Sequence, residues 1–114
     1  MTRGLISVEE YRRLVGLDAS EDDLLTDVGS RLALGGWRWH HVRRLDLGLQ
    51  MGDPGFPDVI ALRGPDLLVA ELKGPHGRYE LGQREWLAAF DEVRRIRTAT
   101  WRPADIDTIA EVLR

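Results

Sequence analysis

The chain has 114 residues, 43% of them apolar and 31% charged, with a formal net charge of −3 and no cysteine. That length fits one domain near the lower end of the usual size range and leaves no room for a second. Without cysteine there are no disulfides and no thiolate metal sites, so any metal must be held by oxygen or imidazole. The negative balance argues against a protein that coats nucleic acid through bulk charge, though not against one with a local basic face. Residues Met1 to Glu10 lack the apolar core of a signal peptide, and no apolar run approaches the ~18 residues of a membrane span. A cytoplasmic protein with no membrane partner is expected.

Ser7 and Glu10 have capping-box spacing and open a short helix from Val8 to about Val15, which Gly16 ends; Tyr11, Leu14 and Val15 share one face. Ser20 and Asp23 repeat the cap. Behind them Leu24, Leu25, Val28, Leu32 and Ala33 recur at helical spacing as far as the Gly35-Gly36 stop. The run from Trp37 to Val42 alternates with period two, placing Trp37, Trp39 and His41 on one face of a strand and Arg38, His40 and Val42 on the other. From Arg43 to Phe56 the glycines and Pro54 predict a long loop.

Two β-rich runs follow, Asp58 to Arg63 and Asp66 to Lys73, joined by Gly64-Pro65 as a tight hairpin. Gly74-Pro75-His76-Gly77 breaks the sheet. Leu81, Trp86, Leu87 and Phe90 then mark a helix face, Val93 to Trp101 an irregular strand, and Pro103 the start of a last helix with Ile106, Ile109, Ala110 and Leu113 inward. Trp37, Trp39 and Trp86 are expected to fill the core, and Trp101 to end the strand. The order predicts an α/β fold: a mixed central sheet of about four strands, the hairpin at its middle and helices on both faces.

The hairpin carries the chemistry. With Gly64 and Pro65 at the turn, Arg63 pairs with Asp66, Leu62 with Leu67, and counting on places Asp58 across from Glu71. Glu71 and Lys73 are two apart on one strand and share that face. Either motif alone is commonplace: Pro57-Asp58 is a frequent turn pair, and Glu-Leu-Lys a frequent tripeptide on exposed strands. Together, in strands otherwise almost wholly apolar, opposed carboxylates need a counter-charge, and a hard divalent cation is the natural one. Mg²⁺ accepts one or two carboxylates and keeps waters, leaving places for a phosphate oxygen and a nucleophilic water. Lys73 would orient or acidify that water and offset charge on the transition state, and the Leu72 carbonyl is a candidate further ligand.

Gly55-Phe56-Pro57-Asp58, Glu71-Leu72-Lys73, then Gly77, Leu81, Gln83 and Trp86-Leu87 resemble the VRR-NUC nucleases of the PD-(D/E)XK superfamily, often found in phages and bacteria and as the nuclease domain of a eukaryotic DNA-repair enzyme. The likeness runs from about Ser20 to the end. It implies one nuclease domain over residues 1–114, with 1–19 as a helical extension and 20–114 as a restriction-endonuclease-like core. Glu21 and the tail Trp101-Arg102-Pro103 with Asp105 also match phage-like members. By that likeness Asp58 and Glu71 bind Mg²⁺ or Mn²⁺, Lys73 assists the water, Glu21 completes the acidic cluster and Gln83 faces the site from the following helix. Asp22 or Asp23 could equally be the inward acid, since a carboxylate in a first helical turn also suits the macrodipole. Tyr79-Glu80, where a capping Ser or Thr is usual, and Asp91 to Arg95, where a glycine is usual, depart from the pattern.

The implied activity is metal-dependent hydrolysis of DNA phosphodiesters, structure-specific for branched, flap or four-way-junction substrates. So small an enzyme contacts little DNA, and a homodimer is expected, since symmetric dimers are the commonest assembly. Arg38, His40, Arg43 and Arg44 are the expected nucleic-acid contacts, with Arg94, Arg95 and Arg97 a second basic group. His40 and His41, adjacent on a strand, point to opposite faces and do not chelate one ion. Two other readings compete: a catalytically inactive DNA-binding or assembly module, and a structural hairpin whose carboxylates pair with Arg63 or Arg78.

Overall fold

The computed structural model describes residues 7–14, 18–42 and 51–114. In chain order these form α1 (Val8–Leu14), α2 (Glu21–Leu34), β1 (Arg38–His41), β2 (Val59–Arg63), β3 (Asp66–Leu72), α3 (Gln83–Asp91) and β4 (Ile96–Trp101); a 3₁₀ turn, Pro103–Asp105, then leads into α4 (Ile106–Leu113). The strands make one sheet in the order β1-β2-β3-β4. The first two pairings are antiparallel and β3–β4 is parallel. The protein is therefore α/β with a four-stranded mixed sheet, and the hairpin occupies its two central positions.

Local chemistry explains the helix starts. The Ser7 hydroxyl accepts the Glu10 N–H at 3.0 Å, and at α2 the Ser20 hydroxyl accepts the Asp23 N–H at 3.0 Å while Asp23 accepts the Ser20 N–H in return. Such a reciprocal cap is worth about 1 kcal/mol. It also fixes where the α2 backbone begins, and so where Glu21 stands.

Alternation along the strands divides the sheet into two faces. Val59 and Ala61 of β2, Leu68, Ala70 and Leu72 of β3 and Trp101 of β4 pack with Leu24, Val28 and Leu32 of α2 and Ile106, Ile109 and Leu113 of α4 in one buried cluster, which Tyr11 of α1 joins. The cluster contains ten side chains at 0 or 1% exposure, which at roughly 1.5–3 kcal/mol for each fully buried large aliphatic makes this the main source of stability. The opposite face carries Ile60, Leu62, Leu67, Val69 and Glu71. Gln83 of α3 hydrogen-bonds Glu71, so α3 covers that second face at its β3–β4 side.

Several expected details differ. Leu81 is 81% exposed and precedes α3, because Gly82 adopts a left-handed φ of 84° and the helix starts only at Gln83. Trp39 shares a face with the core but sits on edge strand β1 at 38% exposure, its ring lying along Gly29 of α2. β4 starts at Ile96 rather than Val93, since Arg95 has a φ of 68° that interrupts extended backbone. Pro103 opens a 3₁₀ turn before the helix, Ala33 is exposed and Ala110 is half-buried. The predicted Gly16 stop and most of the 43–56 loop lie outside the described residues, as do Arg43 and Arg44. Among the described residues no helix is long and apolar enough to cross a membrane.

Candidate metal centre

The hairpin register is the expected one: Arg63 pairs with Asp66, Leu62 with Leu67, and the ladder runs to Val59 opposite Ala70. Asp58 lies one step beyond. There its Oδ2 accepts the Leu72 N–H at 2.9 Å, which clamps the carboxylate to the end of β3. Asp58 is 8% exposed and Glu71 1%. Glu21, in the first turn of α2, completes the group: one carboxylate oxygen from each of Glu21, Asp58 and Glu71 lies within 4.8 Å of the others. Glu21 is exposed and the other two are buried, so the cluster opens to solvent on the α2 side.

The choice among the first-turn acids has a simple cause. Asp23 is taken up by the capping box, whereas Glu21, two residues earlier, reaches the cluster. Asp22 lines the same pocket of about 180 Å³, together with His41, Asp58 and Leu72. His41, which was not among the expected site residues, lines that pocket too. Its period-two position puts it on the α2 face, beside Glu21, and that placement was readable from the alternation alone.

On the other side of Glu71, Gln83 bridges both charged neighbours. Its Nε2 donates to Glu71 Oε2 at 2.7 Å, and its Oε1 accepts from Lys73 Nζ at 2.6 Å and from the Glu80 N–H at 2.7 Å. Lys73 Nζ is 3.1 Å from the same Glu71 oxygen. Asp58, Glu71, Lys73 and Gln83 are all under a tenth exposed, so this is a desolvated polar network in which each group orients the next. Burial, followed by the negative charge of Asp58, pushes the Glu71 carboxyl up to about 7, against a smaller downward pull from Lys73.

Backbone packing sets the distance between the two halves of the site. Gly55 and Gly82 both have positive φ, and a Cβ on either would overlap the other's backbone stretch. Phe56 meets Trp86 and Phe90 edge-on at 5.0 and 5.9 Å, and Trp86 donates its indole N–H to the Asp53 carbonyl at 3.2 Å. The segment leading to Asp58 is thus locked to the one leading to Gln83. Gly82→Ala is expected to lower stability by well over the roughly 1 kcal/mol of left-handed strain. Gly36→Ala, at a φ of 78° with open space around it, should show the strain alone; chemical denaturation of both variants separates the two effects.

The remaining candidates are spread out. Arg38 and His40 lie on the Glu71 face of β1, opposite Leu62 and Ile60, so His40 is two rungs from Asp58 and Arg38 four, or about 13 Å. Arg94, Arg95 and Arg97 stand at the start of β4, beside the N-terminal end of β3 and at the opposite end of the sheet from Glu71. Arg63 is engaged elsewhere: it donates to the Gly35 and Arg114 carbonyls and stacks 4.3 Å from the Trp37 ring centroid. It is not the counter-charge of the hairpin carboxylates. No family model, curated protein or solved structure matches the chain.

Proposed function

We propose that the protein is a metal-dependent deoxyribonuclease of the PD-(D/E)XK type, similar to the VRR-NUC nucleases, with Glu21, Asp58 and Glu71 as metal ligands and Lys73 as the catalytic cation. The observation that carries this reading is the convergence of three carboxylates from separate elements on one point, with a buried lysine on the same strand face as the innermost of them. The donor set is all oxygen, without sulfur, and one ligand is exposed, which fits Mg²⁺ or Mn²⁺ and leaves an open side for waters and substrate.

A divalent cation bound there would polarise a phosphoryl oxygen and make water a better nucleophile at neutral pH. The protein's own residues supply the rest. The Leu72 N–H fixes the Asp58 carboxylate, and Gln83 fixes the rotamers of Glu71 and Lys73. The Lys73 ammonium, held in a dry setting, stabilises the negative charge that builds on the phosphoryl oxygens as the attacking oxygen approaches. Because Lys73 is already hydrogen-bonded, little reorganisation is needed at the moment of reaction.

The test is cleavage of labelled duplex, single-stranded, flap and four-way-junction DNAs in Mg²⁺ or Mn²⁺. Metal-dependent cutting, abolished by EDTA and preferring a branched substrate, is expected. DNA binding without cutting of any member of the panel would instead support a non-catalytic DNA-binding module.

A further inference from the structure

We propose that the cleft beside Lys73, walled by residues 77–82, the first turn of α3 and Arg102, seats a backbone phosphate of the bound nucleic acid, with Arg78 and Arg84 as its binding side chains. This rests on the nuclease reading for the identity of the strand. The nucleic-acid contacts expected from the sequence are Arg38, His40, Arg43 and Arg44, of which the last two lie outside the described residues; Arg78 and Arg84, which line this cleft, are a further pair.

Three observations support the assignment. The first is continuity with Lys73. The 77–82 segment packs on the lysine, a Cβ on Gly77 coming within 3.3 Å of Lys73 Cδ, and the Tyr79 ring is near both cations. Lys73 Nζ is 5.9 Å from the Tyr79 ring centroid and the Arg84 guanidinium 4.9 Å. A single aromatic ring therefore links the site's lysine to Arg84.

The second is preorganisation. The Tyr79 hydroxyl shares a 2.6 Å hydrogen bond with Thr100 of β4, which anchors the ring on which Arg84 stacks. A stacked guanidinium has lost part of its rotamer freedom before a ligand arrives, and its planar fork matches two phosphate oxygens. Arg102 forms the back wall, tied by its own guanidinium to the Gly74 carbonyl at 2.9 Å.

The third is charge. Arg78, Arg84 and Arg102 outnumber Glu80 and Glu85 around a cleft of about 490 Å³, in a chain whose net charge is −3. Among the described residues neither Arg78 nor Arg84 makes an ion pair, and both are exposed. Two unneutralised guanidiniums next to a site that handles a phosphodiester are suited to the phosphate adjoining the one cut.

The experiment is fluorescence anisotropy of a 5′-labelled flap DNA with the full chain in EDTA, so that nothing is cleaved, over a series of salt concentrations. Arg78→Ala and Arg84→Ala are each expected to weaken binding roughly three- to tenfold and to lower the slope of log K against log salt by about 1. Arg13→Ala, which removes an exposed arginine from α1, should leave both unchanged, and melting temperatures should match wild type in all three. Wild-type affinity and slope in Arg78→Ala and Arg84→Ala would overturn the proposal, as would the absence of DNA binding by the wild-type chain. Arginine-dependent binding without cleavage under any metal would leave the cleft standing while removing the nuclease reading, so the two fail separately.

Discussion

Lys73→Met is expected to reduce DNA cleavage roughly 100- to 1,000-fold at saturating substrate, the loss typical when one preorganised charge stabiliser is removed. Methionine keeps most of the side-chain volume, so the buried site does not collapse. Removing one partner of a buried pair is ordinarily severe, because it strands the other charge. Here the stranded group is Glu71, whose carboxyl already holds its proton up to about pH 7, and without the lysine's downward pull it holds that proton still more firmly. The variant should fold at pH 6 and bind DNA in EDTA as the wild type does. A kcat that collapses while DNA affinity stays constant would mark Lys73 as acting in the transition state; equal losses in folding and binding would mark it as structural.

The second large effect concerns pH. In the unfolded chain the Glu71 carboxyl titrates near 4.5, and in the folded chain at about 7. Between these values the folded state binds more protons than the unfolded state, so stability is greatest below about pH 4.5 for this group and falls as pH rises through 7. The loss is about 3 kcal/mol by pH 8. Glu71→Gln keeps the shape and an acceptor oxygen for Lys73 without the charge. It should therefore be more stable than wild type at pH 8 in EDTA and show a flatter stability curve over pH 5–8, read by urea denaturation. Wild-type pH dependence in that variant would contradict the assignment. Under the proposed metal-binding role, Glu71 must be ionised to act as a ligand, so a bound cation would offset that loss.

Much of this site was legible because the hairpin is short and its turn is chemically explicit. Gly64-Pro65 admits one register, and that register alone puts Asp58, Glu71 and Lys73 at one end of the sheet. The capping residues Ser7 and Ser20 were equally explicit, since their side chains act on N–H groups three positions away. What escaped were effects that depend on where a distant backbone passes. Leu81 matched the apolar spacing of a helix, but the left-handed Gly82 and its contact with Gly55 start that helix two residues later, leaving Leu81 in solvent. Asp27 and Arg31 also occupy buried positions on α2, where a 2.8 Å ion pair joins them one turn apart; neither was among the residues expected on the buried face. The cleft formed by Tyr79, Arg78 and Arg84 has no period in the sequence, because it depends on a non-repetitive segment folding back over Lys73.

The most direct test of the central claim is calorimetric titration of Mn²⁺ into the metal-free protein at pH 7, in two buffers of different ionisation enthalpy. Saturable binding that releases a fraction of a proton is expected, because Glu71 is about half protonated at that pH before the metal arrives. Binding should weaken by an order of magnitude or more in Asp58→Asn. Absence of saturable Mn²⁺ binding in the wild type, or binding that neither releases protons nor depends on Asp58, would contradict that claim.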